Sequence, residues 1–240
     1  MKRAYQKWFS PALDKEIELL VFGHAGEPVL FFPTRTARFY DYENWGIIDA
    51  LREKIIQGRL QVFCVDSNDI ESFYSNAHPA EKIKKHLQYE QYILFEVIPF
   101  IRSHNSDPLT AAGCSLGGYH AVNIAFRHPQ SFAKVVGMSA RYDLTLSAIK
   151  FPDLLNGYFD ENIYFNMPSR FIPNLNDAQI LSLFRQLKIV FAVGREDPFL
   201  NNNERLVDAL GSKEVFHDFF VWNEEAHRPR YWKHMVQLYL

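Results

Sequence analysis

The chain has 240 residues and a formal net charge of −2, and 48% of it is hydrophobic and 15% aromatic. That much apolar material builds a globular core and excludes a disordered chain. The near-neutral charge, with no basic run or stripe, argues against a nucleic-acid partner. No apolar run is long enough for a membrane span.

The length fits a single domain over 1–240. Met1-Lys2-Arg3 leads into polar and aromatic residues rather than an apolar signal core, so a cytoplasmic protein is expected. Two cysteines, Cys64 and Cys114, are too few for a disulfide scaffold.

In chain order, strands are predicted over 5–9 and 17–22, joined by a turn-rich 11–15 and closed by 23–28. The apolar run 29–32 reads as a central strand covered on both faces. A helix over 47–57 stops at Gly58, and a strand follows over 60–65. One long helix is expected from 79 to about 104, bent by Pro99. The short strand 109–112 precedes a helix whose apolar spacing begins at Gly118. Then come a strand over 133–138, a helix over 178–186, a strand over 187–193 and a helix over 203–210 ending at Gly211. A strand over 215–222 and a helix over 231–240 complete the chain. Alternating strands and helices imply an α/β fold with a mainly parallel, doubly wound sheet. Ligands of such sheets bind beyond the carboxyl ends of the strands.

One strand-to-helix junction reads Gly113-Cys114-Ser115-Leu116-Gly117. Small glycines let the backbone turn sharply there, and the turn lifts the serine hydroxyl above the sheet. The spacing Gly-x-Ser-x-Gly recurs by chance in roughly one chain in ten of this length. A purely structural turn, or an anion site at the helix start, is the plainer alternative. Cys114 is read as a small buried apolar side chain, with a thiol nucleophile as the alternative.

A serine nucleophile needs a histidine base and a carboxylate that orients it. In folds with this elbow the chain order is serine, acid, histidine. Of the three C-terminal histidines, His217 falls inside the strand 215–222 and His234 on the last helix. His227 follows the last strand in a loop, the position of the base. The strand 187–193 leads into Gly194-Arg195-Glu196-Asp197-Pro198. Asp197 is preferred as the acid, then Glu196, then Asp143. Asp197 before Pro198 is also a good helix cap, and one carboxylate can serve both roles through different oxygens.

An oxyanion hole takes two backbone N–H groups. Leu116 supplies one by its place after the nucleophile. The loop after 29–32 supplies the other. Pro33 has no N–H, which leaves Thr34 or Arg35, and Arg35 is preferred. The side chains of Arg35 and Arg38 are either substrate contacts or ordinary surface charges.

These residues resemble the branch of the α/β-hydrolase superfamily that holds the esterase D-like enzymes and the mycolyltransferases. Gly113-Cys114-Ser115-Leu116-Gly117-Gly118 matches that branch's elbow. His227-Arg228-Pro229-Arg230-Tyr231-Trp232 is similar to its histidine and following aromatic-rich helix start. Tyr42-Glu43-Asn44-Trp45-Gly46 is similar to the segment after its oxyanion loop. Two departures stand out: Phe32-Pro33-Thr34 replaces a frequent Asp-Gly pair, and Arg228 follows the histidine. The resemblance implies that the strands carrying Cys64 and Cys114 are separated by 29–32, so the thiols do not pair.

The segment 141–177 carries aromatic residues among Pro, Asn and Asp. It is read as a short rim beside the site or as an irregular stretch packing on its own domain. No His-Glu-x-x-His, paired cysteines or acidic metal loop occurs, so neither a metal nor a cofactor is expected. The expected activity is serine hydrolysis of a small-molecule carboxylic ester. An acyltransferase on the same triad and a non-catalytic binding protein are the alternatives.

Overall fold

The computed structural model describes residues 1–148 and 150–240; residue 149, inside the rim segment 141–177, lies outside the described residues. Its sheet has eight strands: β1 (Arg3–Ser10), β2 (Lys15–Phe22), β3 (Glu27–Phe32), β4 (Leu60–Val65), β5 (Thr110–Cys114), β6 (Lys134–Met138), β7 (Lys188–Gly194) and β8 (Asp218–Trp222). They lie in the order β1-β2-β4-β3-β5-β6-β7-β8. β1 and β2 form an antiparallel hairpin, and β2 pairs antiparallel with β4. From β4 to β8 every pairing is parallel.

Helices cover both faces, as the uninterrupted apolar strands require. They are α1 (Asp41–Asn44), α2 (Ile47–Ala50), α3 (Arg52–Ile56), α4 (Pro79–Tyr92), α5 (Ile98–His104), α6 (Leu116–Arg127), α7 (Glu161–Phe165), α8 (Pro168–Phe171), α9 (Ala178–Gln186), α10 (Leu200–Ser212) and α11 (Pro229–Tyr239). Side chains alternate across the sheet. Leu30, Phe32 and Ala111 enter a core with Val97, Val122 and Leu206. Val29, Phe31 and Ala112 enter the opposite core with Ile47, Met235 and Val236. β3 separates β4 from β5, and both buried cysteines are free.

Several boundaries differ from the sequence reading, and four carry a physical lesson. The helix expected over 47–57 is broken at Leu51, whose φ of −96° and ψ of 0° leave helical geometry. The long helix bends before Pro99, through a π-helical turn over Ile93–Val97. A proline cannot donate to the preceding turn and its ring crowds a carbonyl there, and the widened turn absorbs both effects. Gly211 does not stop α10, which runs on to Ser212. The last strand starts at Asp218, so His217 precedes it and its ring bonds to the Val215 carbonyl at 3.0 Å.

A polar cluster is buried where α4 meets α6. His86 Nε2 stands 3.1 Å from Asn166 Oδ1, and Nδ1 has no partner among the described residues. Burial, with help from His120, pushes the His86 pKa down from 6.5 to about 3. The unfolded chain therefore takes up a proton near pH 6.5 that the folded chain refuses until about pH 3. This contribution to stability is whole above pH 6.5 and shrinks as pH falls below it. Lowering the pH from 6.5 to 5 is expected to cost about 2 kcal/mol through this group. Thermal unfolding across that range checks it: His86→Gln should flatten the loss relative to the parent chain.

Candidate active site

Ser115 sits between β5 and α6 with φ 56° and ψ −122°. Such a backbone costs a non-glycine residue about 1–3 kcal/mol, so the surroundings must hold it. Its N–H donates to the Met138 carbonyl at 2.8 Å. Gly117 lets α6 start directly against the end of β3. A Cβ at Gly117 would lie 2.2 Å from the Phe32 carbonyl oxygen and 2.5 Å from that of Pro33.

The three residues singled out after successive strands meet in space. His227 Nε2 stands 2.8 Å from Ser115 Oγ, and Nδ1 stands 2.8 Å from Asp197 Oδ2. A carboxylate only accepts, so the ring proton is assigned to Nδ1, leaving Nε2 to accept from the serine hydroxyl. The Asp197 side chain is fully buried and that of His227 is 7% exposed. The other carboxylate oxygen of Asp197 accepts the Phe199 N–H at 2.9 Å. One carboxylate thus does both jobs, although α10 starts at Leu200 and Asp197 shapes the turn before it rather than capping the helix. Glu196 points to solvent. Asp143 is turned away, paired with Arg170 at 2.6 Å. The Cys114 thiol is fully buried and its pKa is pushed up by burial, which removes it as a nucleophile.

Leu116 is the first residue of α6, where a helix leaves its N–H groups free. Neither its N–H nor that of Arg35 finds a partner among the described residues. Thr34, Arg35, Ser115, Phe151, His227 and Trp232 surround a cavity of about 270 Å³. Arg38 is spent elsewhere, its Nε on Asp66 at 2.8 Å and its Nη2 on Glu18 at 2.7 Å.

Three supports were given no role in the sequence reading. The Tyr42 hydroxyl donates to the Phe32 carbonyl at 2.8 Å and accepts the Cys114 N–H at 3.0 Å. It ties the ends of β3 and β5 together beneath the elbow. The Asp69 carboxylate accepts the Thr36 N–H at 3.1 Å and contacts His120 Nε2 at 3.1 Å, linking the loop after β3 to α6. The Ser139 hydroxyl donates to the Ala226 carbonyl at 2.7 Å and accepts from Trp232 Nε1 at 3.0 Å. Of these residues only Tyr42 and Trp232 carried a sequence signal, both through the resemblance.

The sequence model of a protein family described as "Putative esterase" matches residues 42–219. The chain belongs to that family. No curated protein sequence matches it. Among solved structures, a ferulic acid esterase superposes with a TM-score of 0.76 at 18% identity, covering 99% of this chain and 95% of that one. An S-formylglutathione hydrolase (FrmB) from Staphylococcus aureus gives 0.71 at 18% identity, covering 99% and 97%. MPT51 (FbpC1) from Mycobacterium tuberculosis gives 0.68 at 14% identity, covering 98% and 96%. The α/β-hydrolase fold that the resemblance implied is the fold of this esterase.

In the esterase, the rim segment divides its aromatic residues. Phe151 reaches the site, its ring centroid 5.1 Å from that of His227 and 5.0 Å from that of Phe199. Phe159 and Phe165 are exposed, and Phe171 enters the main core. Leu144, Leu155, Ile163 and Met167 pack with Phe73 and Leu116. No described helix is long and apolar enough to cross a membrane.

Replacing Tyr42→Phe keeps the ring, which stacks on Phe31 at 3.9 Å, and strands the Phe32 carbonyl and the Cys114 N–H. A stability loss of about 1–3 kcal/mol is expected, read by urea unfolding.

Proposed function

We propose that the esterase cleaves a small-molecule carboxylic ester through an acyl-enzyme on Ser115. Ser115 Oγ attacks the carbonyl carbon while His227 Nε2 takes its proton. Asp197 Oδ2 holds the Nδ1–H and stabilises the imidazolium that forms. The N–H groups of Leu116 and Arg35 receive the developing oxyanion, at the positive end of α6. Collapse of the tetrahedral intermediate expels the alcohol, which takes the proton from His227. Water then attacks the acyl-enzyme, with His227 as base again, and releases the acid and Ser115.

The observation that carries this reading is the unbroken chain of two 2.8 Å contacts from Ser115 through His227 to the buried Asp197. A non-catalytic binding protein has no use for a strained serine aligned on a histidine in this way. The reading includes a cytoplasmic setting, in keeping with the two unpaired thiols.

Turnover of p-nitrophenyl acetate tests it. Ser115→Ala should lose about 10³-fold or more in kcat/KM, and Asp197→Asn a comparable factor. Glu196→Gln should stay within about twofold, as surface changes do. A fluorophosphonate probe should label the peptide that holds Ser115. Equal turnover by the parent and Ser115→Ala would overturn the assignment.

A further inference from the structure

A second, smaller recess of about 20 Å³ opens beside the nucleophile, lined by Tyr74, Ser115, Leu116, Arg141, Phe199 and His227 among others. It shares Arg35, Ser115, Phe151 and His227 with the larger cavity, so a group entering from there places only its tip in the recess. Arg141 enters from the segment after β6 and is only 5% exposed. Its Nη1 donates to the Leu146 and Pro152 carbonyls at 2.5 and 3.0 Å. No described carbonyl or carboxylate meets its Nε or Nη2, and the further side-chain partner beside it is the neutral Tyr74 hydroxyl. The acids near it are committed: Asp143 to Arg170 at 2.6 Å, and Asp153 to the backbone N–H groups of Leu155 and Gly157.

A guanidinium stays charged even when buried, and a buried cation without an anion is costly. Two carbonyl dipoles and the Phe199 ring, 5.3 Å from the guanidinium carbon, offset part of that cost. Anchoring the Leu146 and Pro152 carbonyls uses only Nη1. The remaining edge, Nε with Nη2, presents parallel N–H groups in the geometry that grips a carboxylate with both oxygens. Arg35 adds a second positive charge, 5.8 Å from the Tyr74 ring.

We propose that the recess receives an anionic group of the substrate: the esterase acts on esters that carry a carboxylate close to the scissile carbonyl, and Arg141 pairs with it. The inference rests on the reading of Ser115 as the nucleophile. The carboxylate belongs either to the acyl half or to the alcohol half, and matched ester pairs separate the two.

Monomethyl succinate against methyl butyrate probes the acyl half, and 4-acetoxybenzoate against p-tolyl acetate the alcohol half, each followed by acid release. In one pair the charged ester should be favoured in kcat/KM by about 10- to 100-fold. Arg141→Gln should erase that ratio and Arg141→Lys should restore part of it. Losing only the hold on Leu146 and Pro152 lowers both esters of a pair together and leaves the ratio unchanged. A ratio near one in both pairs, or one that Arg141→Gln does not move, overturns the proposal. Calorimetric titration of Ser115→Ala with monomethyl succinate reads the recess without turnover. Binding that Arg141→Gln abolishes supports the anion site even if the Ser115 chemistry fails, and no binding of either anionic ester to Ser115→Ala overturns it.

Discussion

The close approach of α6 to the end of β3 is the constraint on which the site depends. It leaves no room for a side chain at Gly117, whose Cβ would strike the Phe32 and Pro33 carbonyls. In return it brings the free N–H at the start of α6 beside the loop that carries Arg35, and both face one cavity with Ser115. Tyr42 locks the two strand ends and Asp69 locks the loop to the helix. Oxyanion donors act through being fixed before the charge develops. In the proposed mechanism, the same bonds that hold the strained serine also fix the Leu116 and Arg35 N–H groups.

The base arrives from the other side of the sheet's carboxyl edge. Its loop crosses the end of β7 so closely that a Cβ at Gly194 would lie 2.0 Å from the Glu225 carbonyl oxygen. Ser139 then pins the loop through Ala226 and the start of α11 through Trp232. His227 is thereby set between a buried carboxylate and the serine, with Phe151 against its ring. Little water reaches the Asp197 contact, so the electrostatic hold on the imidazolium is stronger than at an exposed pair.

Charge is distributed unevenly around this arrangement. Arg38 and Asp143 are neutralised by partners away from the cavity, whereas Arg35, Lys150 and Arg228 line it with one acid, Glu225, and Arg141 lines the smaller recess. The one acid of the triad is spent on His227 and a backbone N–H.

The sequence by itself determined the parallel sheet, the elbow at Ser115 and the places of Asp197 and His227. Apolar runs, glycines at a turn and the positions of residues after strands are local patterns, and parallel strands bring their carboxyl ends to one edge whatever the helices do. It also admitted Glu196 and Asp143 as acids and placed His217 in a strand, because neighbours along the chain do not reveal which side chain points inward. Only the tertiary structure chose Asp197, used up Arg38, and brought in Tyr42, Ser139 and the Asp69–His120 pair. These contacts join residues 72, 87 and 51 positions apart, and such distances leave no periodicity to read. Arg141 is the sharpest case: in sequence it is one arginine after a strand, and only its burial at the recess beside Ser115 sets it apart.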